Sequence, residues 1–223
     1  MDFVDYADRE LLLLELAGQI SSQLRGNLRA VGNATLTLPG GSTPAPLIDA
    51  LSAAPLEWGH VTVFPGDERC LPLDHNRSNY RLIRRHLLEG PAAAAQVIPL
   101  FDPADDTSPG AAAEAAAHRI DPHLPITVLL LGMGTDMHTA SMFPNGVGLD
   151  QALAGTKTVV EVEAPDGERR LTLTAPTLRA AQAIHLMIFG RDKREAFERA
   201  ASLDAVQAPI RAVWPELIVH WAE

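Results

Sequence analysis

The chain has 223 residues, of which 47% are apolar and 21% charged, enough for one domain over residues 1–223 with a sizeable core. Disorder, collagen and coiled coil are excluded by that balance. With 18 Lys and Arg against 28 Asp and Glu the net charge is −10, which repels phosphate backbones and argues against nucleic acid as a partner.

The first ten residues hold four acids and one arginine, and the apolar run 11–14 is too short for a secretory signal or a membrane span. Cys70 is the one cysteine, so no internal disulfide and no multi-thiolate zinc site can form. A soluble, cytoplasmic protein without membrane contact is expected. Leu12, Leu16, Ile20, Leu24 and Leu28 recur every four residues and predict an opening helix. Residues 34–38 predict a strand running into Pro39-Gly40-Gly41-Ser42-Thr43-Pro44. Thr43 as N-cap and Pro44 at the first helical position then predict a helix to residue 53. A second strand is predicted over 60–64, and Ser78 caps a helix through 88. A weaker strand over 97–101 precedes an Ala-rich stretch at 108–118, which reads as a plain surface helix. The continuous apolar run 126–131, stopped by Gly132, predicts a strand buried on both faces. Alternation over 159–162 and 171–174, joined through Pro165-Asp166-Gly167, predicts an antiparallel hairpin. Another buried strand is predicted over 184–189, then a helix over 192–201, then a last strand over 217–220. Strands alternating with helices give an α/β fold: a mainly parallel, doubly wound sheet with helices on both faces and a small antiparallel hairpin.

Ligands of such sheets collect beyond the carboxyl ends of the strands, and four junctions there carry unusual residues. In the first, Gly40 and Gly41 let the backbone approach a ligand, while Ser42, Thr43 and the following helix supply donors for a phosphate. An ordinary tight turn explains the same residues equally well. The second, Asp67-Glu68-Arg69, places three charges after a buried strand, and Arg69 offers a planar fork for phosphate or carboxylate. A solvated, salt-bridged turn is the plainer reading of those three. In the third, Gly132-Met133-Gly134-Thr135-Asp136-Met137-His138, an extended backbone would point Asp136 and His138 the same way, so the carboxylate could hold the imidazole. In the fourth, Gly190-Arg191-Asp192-Lys193, Asp192 reads as an N-cap, and Arg191 and Lys193 place positive charge at a helix start, tolerable beside an anion. Two side chains extending into water are the plainer reading of this stretch alone. Neither a His-Glu-x-x-His pattern nor a Gly-x-Ser-x-Gly elbow occurs, which leaves His138 as general base toward water.

Taken in order, these junctions resemble the glucosamine-6-phosphate isomerase/6-phosphogluconolactonase family, and the 6-phosphogluconolactonases within it above all. The most specific parts are Asp67-Glu68-Arg69 with Asp74-His75 and Ser78-Asn79-Tyr80, and the run from Gly132 through His138 to Phe143-Pro144; Arg170-Leu171-Thr172-Leu173-Thr174 also fits. The resemblance implies the fold of the glucosamine-6-phosphate deaminases. It further implies hydrolysis of 6-phospho-D-glucono-1,5-lactone in the pentose phosphate pathway, with no metal and no organic cofactor. Its phosphate contacts carry over to Ser42, Thr43, Arg69 and Lys193, with Gly40, Gly41 and Asp67 beside them, and its catalytic histidine to His138 with Asp136. Family members usually carry glycine between that aspartate and histidine, whereas this chain has Met137. If the backbone there takes a positive φ, methionine costs about 1 kcal/mol or more.

Two rivals remain at this point. A deaminase would need a glutamate before the proline that ends the turn, and Phe143 stands there. A non-catalytic sugar-phosphate sensor would need a helix-turn-helix and a basic surface, which an acidic chain opening on its first core helix does not offer. The expected partner is a phosphorylated sugar lactone, and the expected assembly a monomer or weak homo-oligomer.

Overall fold

The computed structural model describes residues 1–108 and 110–223; Pro109, within the Ala-rich stretch, lies outside the described residues. Helix α1 (Arg9–Val31) starts where the Asp8 carboxylate accepts from the Leu11 N–H at 2.8 Å and ends at Gly32, whose φ of 83° suits a residue without a side chain. Its buried stripe is Leu12, Leu16, Ile20 and Leu24, as their spacing predicts. Strand β1 (Asp2–Asp5) precedes it, a short element that no apolar alternation announced.

Strands β2 (Ala34–Leu38), β3 (Val61–Pro65), β5 (Gln96–Val97), β6 (Val128–Leu131), β9 (Ala183–Phe189) and β10 (Leu217–Ala222) join β1 in a seven-stranded sheet of order β1-β10-β9-β6-β2-β3-β5. All of its pairings are parallel. The weaker strand expected over 97–101 shrinks to the two residues of β5 at the sheet edge. Successive residues of a strand serve opposite faces, so Leu129 and Leu131 enter one core while Val128 and Leu130 enter the other. One face is covered by α1, α2 (Ala45–Ser52) and α3 (Asn79–Leu87); α4 (Ala111–Ile120), α6 (Ala175–Arg179) and α7 (Arg191–Ala200) feed the core on the other. Helix α5 (Leu149–Ala154) packs with α6.

Three further details depart from the sequence reading. Thr43 does not cap α2: Pro44 is the half-helical residue, with no side-chain cap bond, so the Thr43 hydroxyl starts one position too early. Asp192 sits in the first turn of α7 rather than at its cap, which is Gly190. The Ala-rich helix is more than a surface element, because Ala112, Ala113 and Ala116 are buried and let α4 lie close against its neighbours.

The hairpin forms from β7 (Val159–Glu163) and β8 (Arg169–Leu173), with Gly167 at φ 84° in the turn. A third strand, β4 (Asp67–Arg69), joins β8 antiparallel. Only Gly66 separates β3 from β4; its N–H donates to Leu38 O at 3.2 Å, and its carbonyl accepts from Leu173 N at 3.0 Å. Gly66 therefore ties the small sheet to the carboxyl end of the large one.

Candidate active site

From β2 the chain moves outward to β3 and β5, then returns to the other side of β2 as β6 and continues to β9 and β10. The strand order reverses between β2 and β6, and a crevice at such a reversal is where open parallel sheets take ligands. A cavity of about 210 Å³ opens there. Its walls include Gly40, Gly41 and Thr43 after β2, Asp67 and Arg69 on β4, Asn79 on α3, Gly134 and His138 after β6, Arg170 on β8, and Lys193 on α7. The structure thus brings together Gly40, Gly41, Thr43, Asp67, Arg69, His138 and Lys193. Ser42 is exposed and does not line the cavity, and Asp136 reaches it only through His138.

The loop after β6 is a closed turn, not the extended stretch expected. Gly134 N donates to His138 O at 3.0 Å and Met137 N to Gly134 O at 2.9 Å, with Met137 at φ 68°. That left-handed conformation costs a side chain about 1–2 kcal/mol. The turn brings Asp136 Oδ1 to 2.6 Å from His138 Nδ1. Because a carboxylate accepts, the neutral ring carries its proton on Nδ1 and keeps the Nε2 lone pair. The same bond holds the Asp136 carboxyl below its ordinary range, against partial burial. A Cβ on Gly134 would fall 2.3 Å from both Asp136 Oδ1 and His138 Nδ1, so the pair needs a glycine here. The imidazole also packs on Phe143, ring centroids 4.9 Å apart.

At the other side, Arg69 and Arg170 are direct cross-strand partners of β4 and β8. Like charges placed opposite one another destabilise a sheet unless something compensates. The Nε atoms of both are buried and, among the described residues, without a hydrogen-bond partner. Lys193 is partly buried, which lowers its pKa, and no carboxylate pairs with it among the described residues. Three cations therefore surround one cavity of an acidic protein. Asp67 is the buried counter-charge: it accepts from Ser141 Oγ and lies 3.9 Å from Arg170 Nη1, while Arg170 Nη2 reaches Glu168 at 3.0 Å.

The reading of Asp67-Glu68-Arg69 as a solvated turn fails, because Asp67 is 7% and Glu68 2% exposed. Glu68 accepts from Ser78 Oγ and from the Asn79 and Tyr80 N–H groups at 3.1, 2.9 and 2.7 Å, and so seats the start of α3. Burial raises its pKa, and these N–H donors oppose the rise. Two lining residues with polar side chains escaped the sequence reading as site residues, Asn79 and Arg170. Both stood inside noted motifs, but nothing local separates Arg170 from Arg169, which binds Glu161 and Asp106 at the surface. Trp221, unassigned from sequence, donates from Nε1 to Gly190 O at 3.0 Å. Among the described residues no group of three His, Cys, Asp or Glu is arranged to hold a metal ion.

The family model for glucosamine-6-phosphate isomerases/6-phosphogluconolactonase matches residues 7–221. The chain belongs to this family. Within it, the chain is 42% identical to a 6-phosphogluconolactonase of Pseudomonas aeruginosa over 212 residues, covering 92% of this chain and 88% of the relative. A 6-phosphogluconolactonase of Rhizobium meliloti is 40% identical, with 93% and 92% covered. The crystal structure of a 6-phosphogluconolactonase from Shewanella baltica superposes with a TM-score of 0.94 at 32% identity, over 100% of this chain and 98% of that one. The parallel sheet with its small antiparallel companion is thus the architecture of this family. No helix among the described residues is long and apolar enough to cross a membrane.

Proposed function

We propose that the protein hydrolyses 6-phospho-D-glucono-1,5-lactone to 6-phosphogluconate, the lactone-opening step of the pentose phosphate pathway. One observation carries the reading: among the described residues, a cavity with two opposed arginines holding unspent buried Nε–H groups also presents a histidine with Nδ1 held by a carboxylate and Nε2 unspent. Relatives named 6-phosphogluconolactonase, 40% and 42% identical over nearly the whole chain, support it.

In this reading the substrate phosphate docks on the Gly40–Gly41–Thr43 loop, Arg69, Arg170 and Lys193, and the ring carbonyl lies by His138. Nε2 of His138 takes a proton from water as its oxygen bonds to C1, and the carbonyl electrons move onto a tetrahedral oxyanion. Collapse of that oxyanion breaks the bond from C1 to the ring oxygen, which receives the proton from the imidazolium. Asp136 holds the ring in the required tautomer and stabilises its charged form. A positioned base of this kind gives roughly 10²–10⁴-fold. Phe143 against the imidazole supports the lactonase over the deaminase, since a phenyl ring transfers no proton. The proposal includes a single lactonase domain over 1–223, a cytoplasmic location, no metal or organic cofactor, and a monomer or weak homo-oligomer.

Proton release from freshly generated 6-phosphogluconolactone tests it. Acid release well above the spontaneous rate, with no ammonia from glucosamine 6-phosphate, is expected. Unaccelerated lactone opening overturns the reading.

A further inference from the structure

We propose that Asn79 is a positioning residue that aims the Arg69 guanidinium into the cavity, and that Gly40 is glycine to make room for its amide. The inference rests on the reading of Arg69 as a phosphate contact.

Asn79 is 2% exposed and opens α3, where its own N–H is held by Glu68 Oε1 at 2.9 Å. Its side-chain amide is spent in two directions. Oδ1 accepts from Arg69 Nη1 at 2.5 Å, and Nδ2 donates to the Asp67 carbonyl at 2.7 Å and toward Asp67 Oδ1 at 3.4 Å. The partners fix which way the amide faces: reversed, it would set NH2 against a guanidinium and oxygen against two acceptors. Among the described residues Arg69 Nη1 has one further acceptor, Arg77 O at 2.9 Å, so the guanidinium is anchored through Nη1 while Nε stays unpartnered. One amide thus ties the Arg69 guanidinium to the β4 backbone at Asp67.

The glycine loop closes over this amide. A Cβ on Gly40 would lie 1.8 Å from Asn79 Oδ1 and 2.6 Å from Nδ2. Gly40 is not among the positive-φ glycines, whereas Gly41 is, at φ 91°. The two glycines therefore have separate causes. Gly41 is needed for its backbone angle, and Gly40 for space that Asn79 fills.

The test compares Arg69→Ala, Asn79→Ala, Gly40→Ala and the double variant Gly40→Ala/Asn79→Ala by KM and kcat for the lactone, and by binding of 6-phosphogluconate. Losing a hydrogen bond to a charged group corresponds to roughly 10- to 100-fold. KM and the dissociation constant are expected to rise by that order in both single variants at positions 40 and 79, with kcat falling less than about threefold. The double variant should be no worse than Asn79→Ala alone, because a Cβ at position 40 then meets no amide. Thermal melting confirms folding, and Gly40→Ala, which retains Asn79, serves if Asn79→Ala does not fold. Should Arg69→Ala raise KM while Asn79→Ala and Gly40→Ala leave it unchanged, the positioning role is wrong and the phosphate reading stands. Additive losses in the double variant overturn the account of Gly40. If Arg69→Ala itself leaves KM unchanged, the phosphate reading of Arg69 fails and the inference falls with it.

Discussion

Histidines occupy two contrasting settings here, at the cavity and inside the large sheet. The His138 side chain is 33% exposed and spends one ring nitrogen on Asp136. His185 on β9 and His220 on β10 are fully buried and spend both. Gln23 Oε1 can only accept, so His185 Nε2 donates to it and His185 Nδ1 accepts from His220 Nε2, each at 2.9 Å. His220 Nδ1 must then accept from the Tyr6 hydroxyl, also at 2.9 Å. One direction of donation runs through four side chains and leaves nothing over. Burial pushes His185 down to about 4 and His220 to about 3, the latter with help from its histidine neighbour. The difference teaches that an imidazole serves as a base only where one nitrogen is fixed, the other is unspent, and water can reach it.

Exchanging side chains breaks the contrast most sharply. His138→Ala is expected to lower kcat by roughly 10²–10⁴-fold and to leave the urea-unfolding curve unchanged. His220→Ala should do the reverse. Tyr6 and His185 lose their partner, at about 1–3 kcal/mol for each buried group left unsatisfied, while turnover per folded molecule persists. Equal loss of turnover in both variants would erase the distinction.

Acid sharpens the same comparison. Both sheet histidines have folded-state pKa values depressed below the ordinary 6.5, so the unfolded chain binds more protons as pH falls. Their contribution to stability is complete above about pH 6.5 and is lost toward about pH 4 and 3, with a limiting slope near 1.4 kcal/mol per pH unit for each histidine. Urea midpoints in the upper part of that range, above the titration of Asp136, should fall with a slope that His220→Ala reduces and His138→Ala does not. The smallest expected effect is at Met137: Met137→Gly relieves left-handed strain of about 1 kcal/mol and loses a comparable amount to chain entropy. Its stability should therefore change by less than about 1 kcal/mol, read as a near-constant melting temperature, with the Asp136–His138 pair still working.

Much of the architecture was readable from local pattern. The four-residue recurrence of Leu12 through Leu24 marks α1, and the run ended by Gly132 marks β6. Glycines and charged residues clustered at strand ends marked the loops that meet at the cavity. Where the reading failed, competition between local and distant partners was the cause. Asp67-Glu68-Arg69 looks like a solvated turn until β8 pairs with it and α3 lays its N-terminus on Glu68. The Asp136–His138 contact was anticipated with the wrong backbone, because a left-handed methionine leaves no mark of its own and only the glycine of related sequences pointed to a positive φ at Met137.

By itself, then, the sequence determined most of the longer elements, the α/β class and the loops holding candidate residues, since periodicity and turn chemistry act within a few residues, while β1, β4, α5 and α6 left no such signal. Tertiary structure alone decided that Arg170 faces Arg69, that Ser42 stays outside the cavity, and that Asn79 fills the space over Gly40. Strand register and close approach between segments far apart in the chain depend on how whole faces pack, and no short stretch of residues encodes that.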